Sequence, residues 1–571
     1  MAHEKFDYQW TDHLEYPEKT MYRMIADITE QHPGAVAYEF YNRNTTFRQF
    51  LDKINLAADA FLDAGIRSGD VVTICMPNIP QALIAFYALD RIGGIACMIH
   101  PLSAKNEISF YLNDTGSGMI LVPDLFCEKV EESLPEVDHP VRVIVVRMQD
   151  ELPFYLKAPY TAFKGRSFLK YPNSDHAETW SSFLRRGKKK KAGVTEAAFD
   201  KTRTSVLLYS GGTSGKPKGI CLSDLNMNAL ALQCRSRIPY DFEPGISMLS
   251  CMPVFHGFGL GVNIHTVLVY GAKCILMPNF NIKTYADMLL KKKPNFIAGV
   301  PTIFEALLHM PQMEGKKLDF LLGMFCGGDS LSVELKKKVD AFLKEHGAGI
   351  QIQEGYGLTE CVTASCLTPH DRYKENSIGL PFPDTLYAIV KPGTDDVVPA
   401  GEEGEIILSG PTVMLRYLNN PEETANTLRE INGRTWLYSG DLGKMDEEGF
   451  VFFRQRIKRM IVTNGYNVYP GILENVIDSC PEVSYSCVIG VKDARRGQRV
   501  RAYVVLRDGY APSEEMKERI LGVMRQHIAG YAIPKEILFR DGLPKTLVGK
   551  VFYRKLEEEA DAESDTGVSR T

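Results

Sequence analysis

The chain has 571 residues, more than one hydrophobic core usually organises, so at least two folded units are expected. Its apolar fraction of 44% and charged fraction of 24% are those of an ordinary soluble globular protein, and a formal net charge of -5 supplies no global field for nucleic acid. The 12 cysteines form no CxxC pair, the closest central two being Cys361 and Cys366; this fits reduced, buried thiols in a cytoplasmic protein better than a disulfide framework or a zinc site.

The first residues, Met-Ala-His-Glu-Lys-Phe-Asp, carry no apolar run behind a basic start and do not read as a secretory signal. Thr46-Phe-Arg-Gln49 is a capping box, and Phe50, Leu51, Ile54, Ala58, Phe61 and Leu62 follow at helical spacing, with Gly65 placed to close the helix. Residues 71–76 suit a buried strand, residues 80–91 a helix and residues 95–99 another strand. That order implies a crossover in a largely parallel sheet. The most apolar stretch, residues 82–100, is broken by Asp90, Arg91 and a glycine pair and makes a poor bilayer span.

Residues 150–200 interleave aromatics with Lys157, Lys164, Arg166 and Lys170, then carry the basic run from Arg185 to Lys191. A solvated surface loop is the plain reading, and peripheral contact of residues 150–191 with anionic lipid the sharper one. Residues 488–491 and 501–506 read as strands, and residues 513–530 as an amphipathic helix. The C-terminal part is therefore expected to be an α+β domain of about a hundred residues. Residues 558–571 read as a disordered polar tail.

The most informative segment is Ser210-Gly-Gly-Thr-Ser-Gly-Lys-Pro-Lys-Gly219, lying between two apolar runs at 205–209 and 220–222. Phosphate oxygens need closely approaching N–H groups, hydroxyl donors and positive charge, and this loop offers all three. It is neither a Walker A loop, because Pro217 follows Lys216, nor a GxGxxG fingerprint. A flexible hairpin loop is the plain alternative, but a hairpin needs no such concentration of Thr, Ser and Lys.

This loop resembles the phosphate loop of the adenylate-forming (AMP-binding) superfamily. Further segments match in the family's order: Met252-Pro-Val-Phe-His256-Gly, Cys326-Gly-Gly-Asp-Ser330, Glu354-Gly-Tyr-Gly-Leu-Thr-Glu360, Tyr438-Ser-Gly-Asp441, the stretch from Arg454 through Arg456 and Lys458 to Pro470, and Pro544-Lys-Thr-Leu-Val-Gly549-Lys550. Gln455 departs from the pattern, standing where many relatives carry Asp or Gly.

The resemblance implies an α/β fold. Its large N-terminal domain, residues 1–457, would have mixed, mostly parallel sheets with helices plus a small β-barrel-like subdomain. A small mobile C-terminal α+β domain would occupy residues 458–557 and hinge at Lys458. The implied cofactors are ATP, Mg2+ and coenzyme A. The nucleotide would contact Ser210, Gly211, Gly212, Thr213, Ser214, Gly215, Lys218, Gly328, Asp329, Glu354, Gly355, Tyr356, Gly357, Thr359, Asp441, Arg456 and Lys550. Glu360, with Thr213, would hold the metal. His256, Gly327 and Gly328 would border the acid, and Gly465 and Tyr466 the thiol. Lys550, Thr359 and His256 would carry the catalysis of an acid–thiol ligase that adenylates a carboxylic acid and passes the acyl group to CoA. A medium- or long-chain fatty acid is the favoured substrate. An aryl-CoA ligase, or an acyl-AMP ligase loading a carrier protein, is the alternative. Nucleic acid is not an expected partner, and a chain that binds nucleotide without turnover is disfavoured because Lys550, Glu360 and Asp441 are all present.

Overall fold

The computed structural model describes residues 13–153, 155–157, 176–190, 195–210, 217–240, 242–463, 466–493, 496–545 and 551–565. They fall into two compact units, the first drawn from 1–331, 335–387 and 408–438 and the second from 332–334, 388–407 and 439–571.

Two sheets of the described residues lie wholly within the first unit. In one, the strands run in the order Lys218–Leu222, Val206–Ser210, Ile95–Met98, Val71–Ile74, Met119–Pro123, Arg142–Val146 and Ala177–Thr179, with Arg416–Tyr417 added beside Lys218–Leu222. From Val206–Ser210 to Ala177–Thr179 the pairing is parallel; Lys218–Leu222 and Arg416–Tyr417 join antiparallel. The other sheet has a parallel centre, Ile352–Tyr356, Gly323–Cys326, Phe296–Gly299, Ser247–Ser250, Lys273–Leu276 and Val36–Phe40, with antiparallel additions at both ends. Parallel strands are buried on both faces, which is why these segments read as short apolar runs rather than alternating ones.

The expected capping box forms. Thr46 Oγ1 accepts from the Gln49 N–H at 3.3 Å, and Gln49 Oε1 accepts from the Thr46 N–H at 3.0 Å, opening the helix Phe47–Asp63. Its stripe of Phe50, Ile54, Ala58 and Phe61 is buried. The helix Pro80–Arg91 is buried nearly all round, and Asp90 within it has a structural use. Asp90 and Asp224 share the Arg203 guanidinium, at 3.0 and 2.6 Å, and accept from the Tyr22 and Met21 N–H groups at the start of the helix Met21–Gln31. Negative charge there also complements the helix dipole. Burial, followed by the nearness of Asp224, raises the Asp90 carboxyl well above its usual range.

Two expectations change. The basic run 185–190 lies on the helix Trp180–Lys190 rather than in a loop. Trp180 and Phe183 pack on Phe61, and Gly187 sits so close to Ala60 that a Cβ would fall 2.6 Å from its nitrogen. The helical spacing that buries these residues turns Arg185, Arg186, Lys188 and Lys189 outward. At the other end of the chain, residues 558–565 belong to the helix Tyr553–Asp565, which buries Leu556 and Ala560, so the polar tail does not begin at 558. The few apolar residues in a largely charged sequence sit on one helical face there, and composition alone conceals them.

The second unit contains the antiparallel pair Val483–Asp493 and Gly497–Leu506, with Glu536–Phe539 parallel to the latter and Ile461–Thr463 antiparallel to it. The helix Glu514–His527 starts at Ser513, whose Oγ accepts from the Met516 N–H at 3.1 Å. Among the described residues no helix is long and apolar enough to cross a membrane. All 12 cysteines are buried.

Candidate active site

In open α/β sheets ligands bind outside the carboxyl ends of parallel strands, and the motif residues of the first unit gather at such ends. Gly323–Cys326 runs into Gly327, and its neighbour Ile352–Tyr356 into Gly357. A Cβ on Gly327 would lie 3.1 Å from the Gly355 carbonyl oxygen, and one on Gly357 only 2.2 Å from that of Thr363. The two backbones therefore approach as only glycine permits. Gly328, at φ +81°, and Asp329 are exposed beyond the strand end, and Asp329 Oδ1 accepts from the Ser330 N–H at 2.9 Å.

Glu354 Oε1 accepts from the Leu331 N–H at 3.0 Å. Burial pushes the Glu354 carboxyl up to about 7, with this hydrogen bond and Lys336 opposing. Because its pKa is higher folded than unfolded, the stability it contributes is present in acid and is lost as pH rises through about 7. Glu354→Gln keeps an acceptor for Leu331 and removes that loss. Its melting temperature should therefore exceed the parent's by a margin that grows between about pH 5 and about pH 8.

Tyr356, Thr359 and Glu360 are half-buried, Thr359 and Glu360 in a single turn, Thr359–Cys361. Glu360 Oε1 accepts from the Tyr417 hydroxyl at 2.8 Å, and the Glu360 carbonyl accepts from the Met414 N–H at 2.8 Å. Burial and the neighbouring Glu360 carboxylate raise the Tyr417 phenol, which stays a protonated donor. Immediately after the turn, Val362 (φ 54°) and Thr363 (φ 85°) occupy the left-handed region, a costly conformation for β-branched side chains. Strain of that kind is kept where surrounding structure enforces it.

Ser210 and Lys218 are cross-strand partners at the two ends of the glycine-rich loop, so the loop joins an antiparallel pair. Gly211, Gly212, Thr213, Ser214 and Gly215 lie outside the described residues. The Lys218 ammonium is ion-paired to Glu423 and stands 5.1 Å from the centre of the Tyr417 ring. Tyr417 thus links the loop's exit strand to Glu360.

His256 is half-buried, and its Nδ1 accepts from the Phe258 N–H at 3.2 Å, which leaves Nε2 to carry the proton in the neutral ring. It precedes a π-helical segment, Phe258–His265, a rare form often found at functional sites. A distant residue holds the stretch that leads to His256: buried Asn78 donates to the Ser250 and Met252 carbonyls at 3.0 and 2.8 Å and accepts from the Val254 N–H at 3.0 Å. Behind Gly327 and Gly355 lies a narrow cavity of about 50 Å3, whose walls include Phe258, Val262, Phe325, Leu367 and Phe382.

In the second unit Asp441 is buried and faces Arg456 across the pair formed by Arg434–Met445 and Val451–Arg456, Arg456 Nε lying 3.4 Å from Asp441 Oδ1. The strand just before it is held by the Gly440 N–H donating to Glu405 at 3.0 Å and the Asp441 N–H donating to Ser439 Oγ at 3.0 Å. Lys458 is exposed in the short turn Ile457–Arg459. Gln455 is 3% exposed, and neither its amide oxygen nor its nitrogen has a hydrogen-bond partner among the described residues. Gln455→Leu fits similar volume without stranded polar atoms and should stabilise the protein by about 1 kcal/mol or more, read as a higher melting temperature. Gly465 and Lys550 lie outside the described residues, as does the side chain of Tyr466. On either side of residues 546–550, Lys545 and Val551 form an antiparallel bridge.

Tyr417, Glu423 and Asn78 belong to no local motif that could have singled them out. They reach the site through strand pairing and tertiary hydrogen bonds.

Residues 25–418 match the family model of the AMP-binding enzyme, and residues 473–550 that of the AMP-binding enzyme C-terminal domain. The chain belongs to the AMP-binding enzyme family. Within it, a long-chain-fatty-acid–CoA ligase of Bacillus subtilis is 34% identical over 96% of this chain and 95% of its own length. One from Escherichia coli is 33% identical over 95% and 96%. The fold of this AMP-binding enzyme is that of the anthranilate CoA ligase AuaEII, solved in complex with anthranoyl-AMP, with a TM-score of 0.83 at 22% identity over 98% of this chain and 100% of that one.

Proposed function

We propose that this AMP-binding enzyme is an acid–CoA ligase acting on fatty acids of medium or long chain. The observation that carries the reading is its likeness, over nearly its whole length, to relatives named as long-chain-fatty-acid–CoA ligases. The narrow cavity behind Gly327 and Gly355 has the apolar lining that an acyl or an aryl group alike would need. In the first step a carboxylate oxygen attacks the α-phosphorus of ATP, forming an acyl-adenylate and releasing pyrophosphate. In the second, the CoA thiol attacks the acyl carbon, its proton leaves to solvent, and AMP departs.

Two anions meet in the first step, so the site must supply positive charge and hydrogen-bond donors. Ser210, the loop residues Gly211 to Gly215 and the Thr359 hydroxyl are assigned to the phosphates, with Lys218 at the loop's exit. Tyr356 is assigned to the adenine face, beside the backbones of Gly328, Gly355 and Gly357 and next to Asp329 and Glu354. Asp441 suits the ribose hydroxyls, since a carboxylate accepts two hydrogen bonds, and Arg456 suits ribose or phosphate. His256, with its Nε2 proton, is assigned to the carboxylate end of the acid.

A magnesium ion is commonly held by one carboxylate plus substrate phosphates, and Glu360, oriented by Tyr417, fits that donor set; the Thr213 hydroxyl is assigned to the same ion. Bound there, the ion would neutralise phosphate charge. Lys550 is assigned to the bridge between acid and α-phosphate. For the second step residues 458–557 are assigned a rotation about Lys458 that withdraws Lys550 and presents Gly465 and Tyr466 to the thiol.

Assaying AMP release with ATP, Mg2+ and CoA tests the substrate. A maximum among straight-chain acids from octanoate to stearate is expected. A maximum with benzoate or coumarate would replace the fatty acid with an aryl acid, and AMP released only when a carrier protein is supplied would replace CoA.

The outward basic face of Trp180–Lys190 supports peripheral contact with anionic membrane, convenient for an enzyme whose substrate partitions into lipid. Replacing Arg185, Lys188 and Lys189 by Ser should weaken sedimentation with phosphatidylserine vesicles by about fivefold per charge, and leave turnover of a short soluble acid unchanged.

A further inference from the structure

The first described residues of the chain end on a buried carboxylate far along the sequence. His13 Nδ1 lies 2.7 Å from Asp384 Oδ1, while the Leu14 N–H and the Tyr16 hydroxyl donate to Asp384 Oδ2 at 2.8 and 2.9 Å. Asp384 is 7% exposed and sits at φ 57°. Tyr16 has a second partner, because its hydroxyl oxygen accepts from Gln233 Nε2 at 3.3 Å. Gln233 is fully buried, and the two hydrogens of its Nε2 are shared among Tyr16, the Pro383 carbonyl at 2.6 Å and Thr385 Oγ1 at 3.1 Å.

The position of this polar knot gives it a use. Cys234 follows Gln233, and Phe382 precedes Pro383; both line the cavity. One helical turn on from Gln233, Arg237 donates to the Pro381 carbonyl at 2.9 Å, and the next residue, Ile238, lines the cavity too. The Phe382 N–H is itself bonded to the Ser365 carbonyl at 2.9 Å. One wall of the cavity is therefore two segments, 381–385 and the end of the helix Asp224–Ser236, fastened together by Gln233 and Arg237 and held from behind by Tyr16 and Asp384.

A buried charge is a costly way to join two segments that apolar contacts could join, and such groups are best justified where they select one arrangement. We infer that Tyr16, Gln233 and Asp384 are positioning residues that fix the wall made by Cys234, Ile238 and Phe382, and through it the length of acyl chain the enzyme favours. The inference rests on the reading that this cavity receives the acyl chain.

The measurement is kcat/KM over straight-chain acids of increasing length, with KM for ATP and CoA alongside. Tyr16→Phe removes the hydroxyl with little change of shape. Asp384→Asn keeps a residue tolerant of the left-handed backbone and removes the charge. Each should shrink the ratio between the best acid and the next longer one by about fivefold, the worth of one hydrogen bond, with both cosubstrate KM values unchanged. Unchanged ratios in both variants overturn the inference, as does a loss equal for every acid or shared by ATP. Val262→Phe, which fills the cavity directly, separates the two readings. If it moves the length profile and the other variants do not, only the positioning role fails. If it leaves the profile untouched, the cavity is not the acyl site and the inference falls with it.

Discussion

Lys550→Ala is expected to slow adenylate formation by about a thousandfold while ATP still binds. Charge accumulates on the oxygens between acid and α-phosphorus as the new bond forms, so an ammonium placed there is worth more in the transition state than in the ground state. Losing one such donor from a preorganised site costs a factor of roughly a hundred to a thousand, and a full positive charge belongs at the upper end. Nucleotide affinity should move far less, since most contacts to ATP are assigned to the loop and to Tyr356, Thr359 and Asp441. Acid-dependent exchange of pyrophosphate into ATP reports the first step, and calorimetric titration with ATP reports binding. Supplying a synthetic acyl-adenylate and CoA bypasses the first step, and there the variant should approach the parent. If pyrophosphate exchange proceeds at the parental rate, the charge at the reacting oxygens comes from another residue.

Glu360→Gln is expected to lower turnover by about a hundredfold at ordinary Mg2+ and to recover part of the loss as Mg2+ is raised. The amide keeps the volume and one oxygen, so Tyr417 still has an acceptor, and the surrounding turn should stand. What disappears is the negative charge that draws the metal. A rightward shift of the Mg2+ dependence, with acid KM unchanged at saturating metal, is the distinguishing result. A uniform loss at every Mg2+ concentration would assign the carboxylate charge a role other than holding the metal.

The sequence made some parts of this molecule plain for identifiable reasons. The helices Phe47–Asp63 and Pro80–Arg91 were readable because capping, helical spacing and a starting proline all operate within a few residues. The motif segments were readable because glycine and hydroxyl residues crowd where backbone must approach backbone or phosphate. Asn78 was invisible: nothing in its own neighbourhood indicates that it holds Ser250, Met252 and Val254, because contacts across more than 170 positions leave no local periodicity. Val362 and Thr363 were worse than invisible, since β-branched residues argue against the backbone angles they adopt. The helix Tyr553–Asp565 was obscured by its own charge, its buried face amounting to little more than Leu556 and Ala560.

The burial of every cysteine has a consequence for the proposed use of a thiol as second substrate. Thiol–disulfide exchange needs an accessible sulfur that is also ionised. Here both conditions fail together: burial pushes Cys75, Cys97, Cys234, Cys251 and Cys274 up to about 12 and keeps water-borne reagents away from them. Oxidised coenzyme A and glutathione disulfide would find no ready partner on the folded protein. The enzyme should therefore keep its activity through shifts of redox poise that would cap an exposed thiol, and lose it to such reagents only once the fold itself opens.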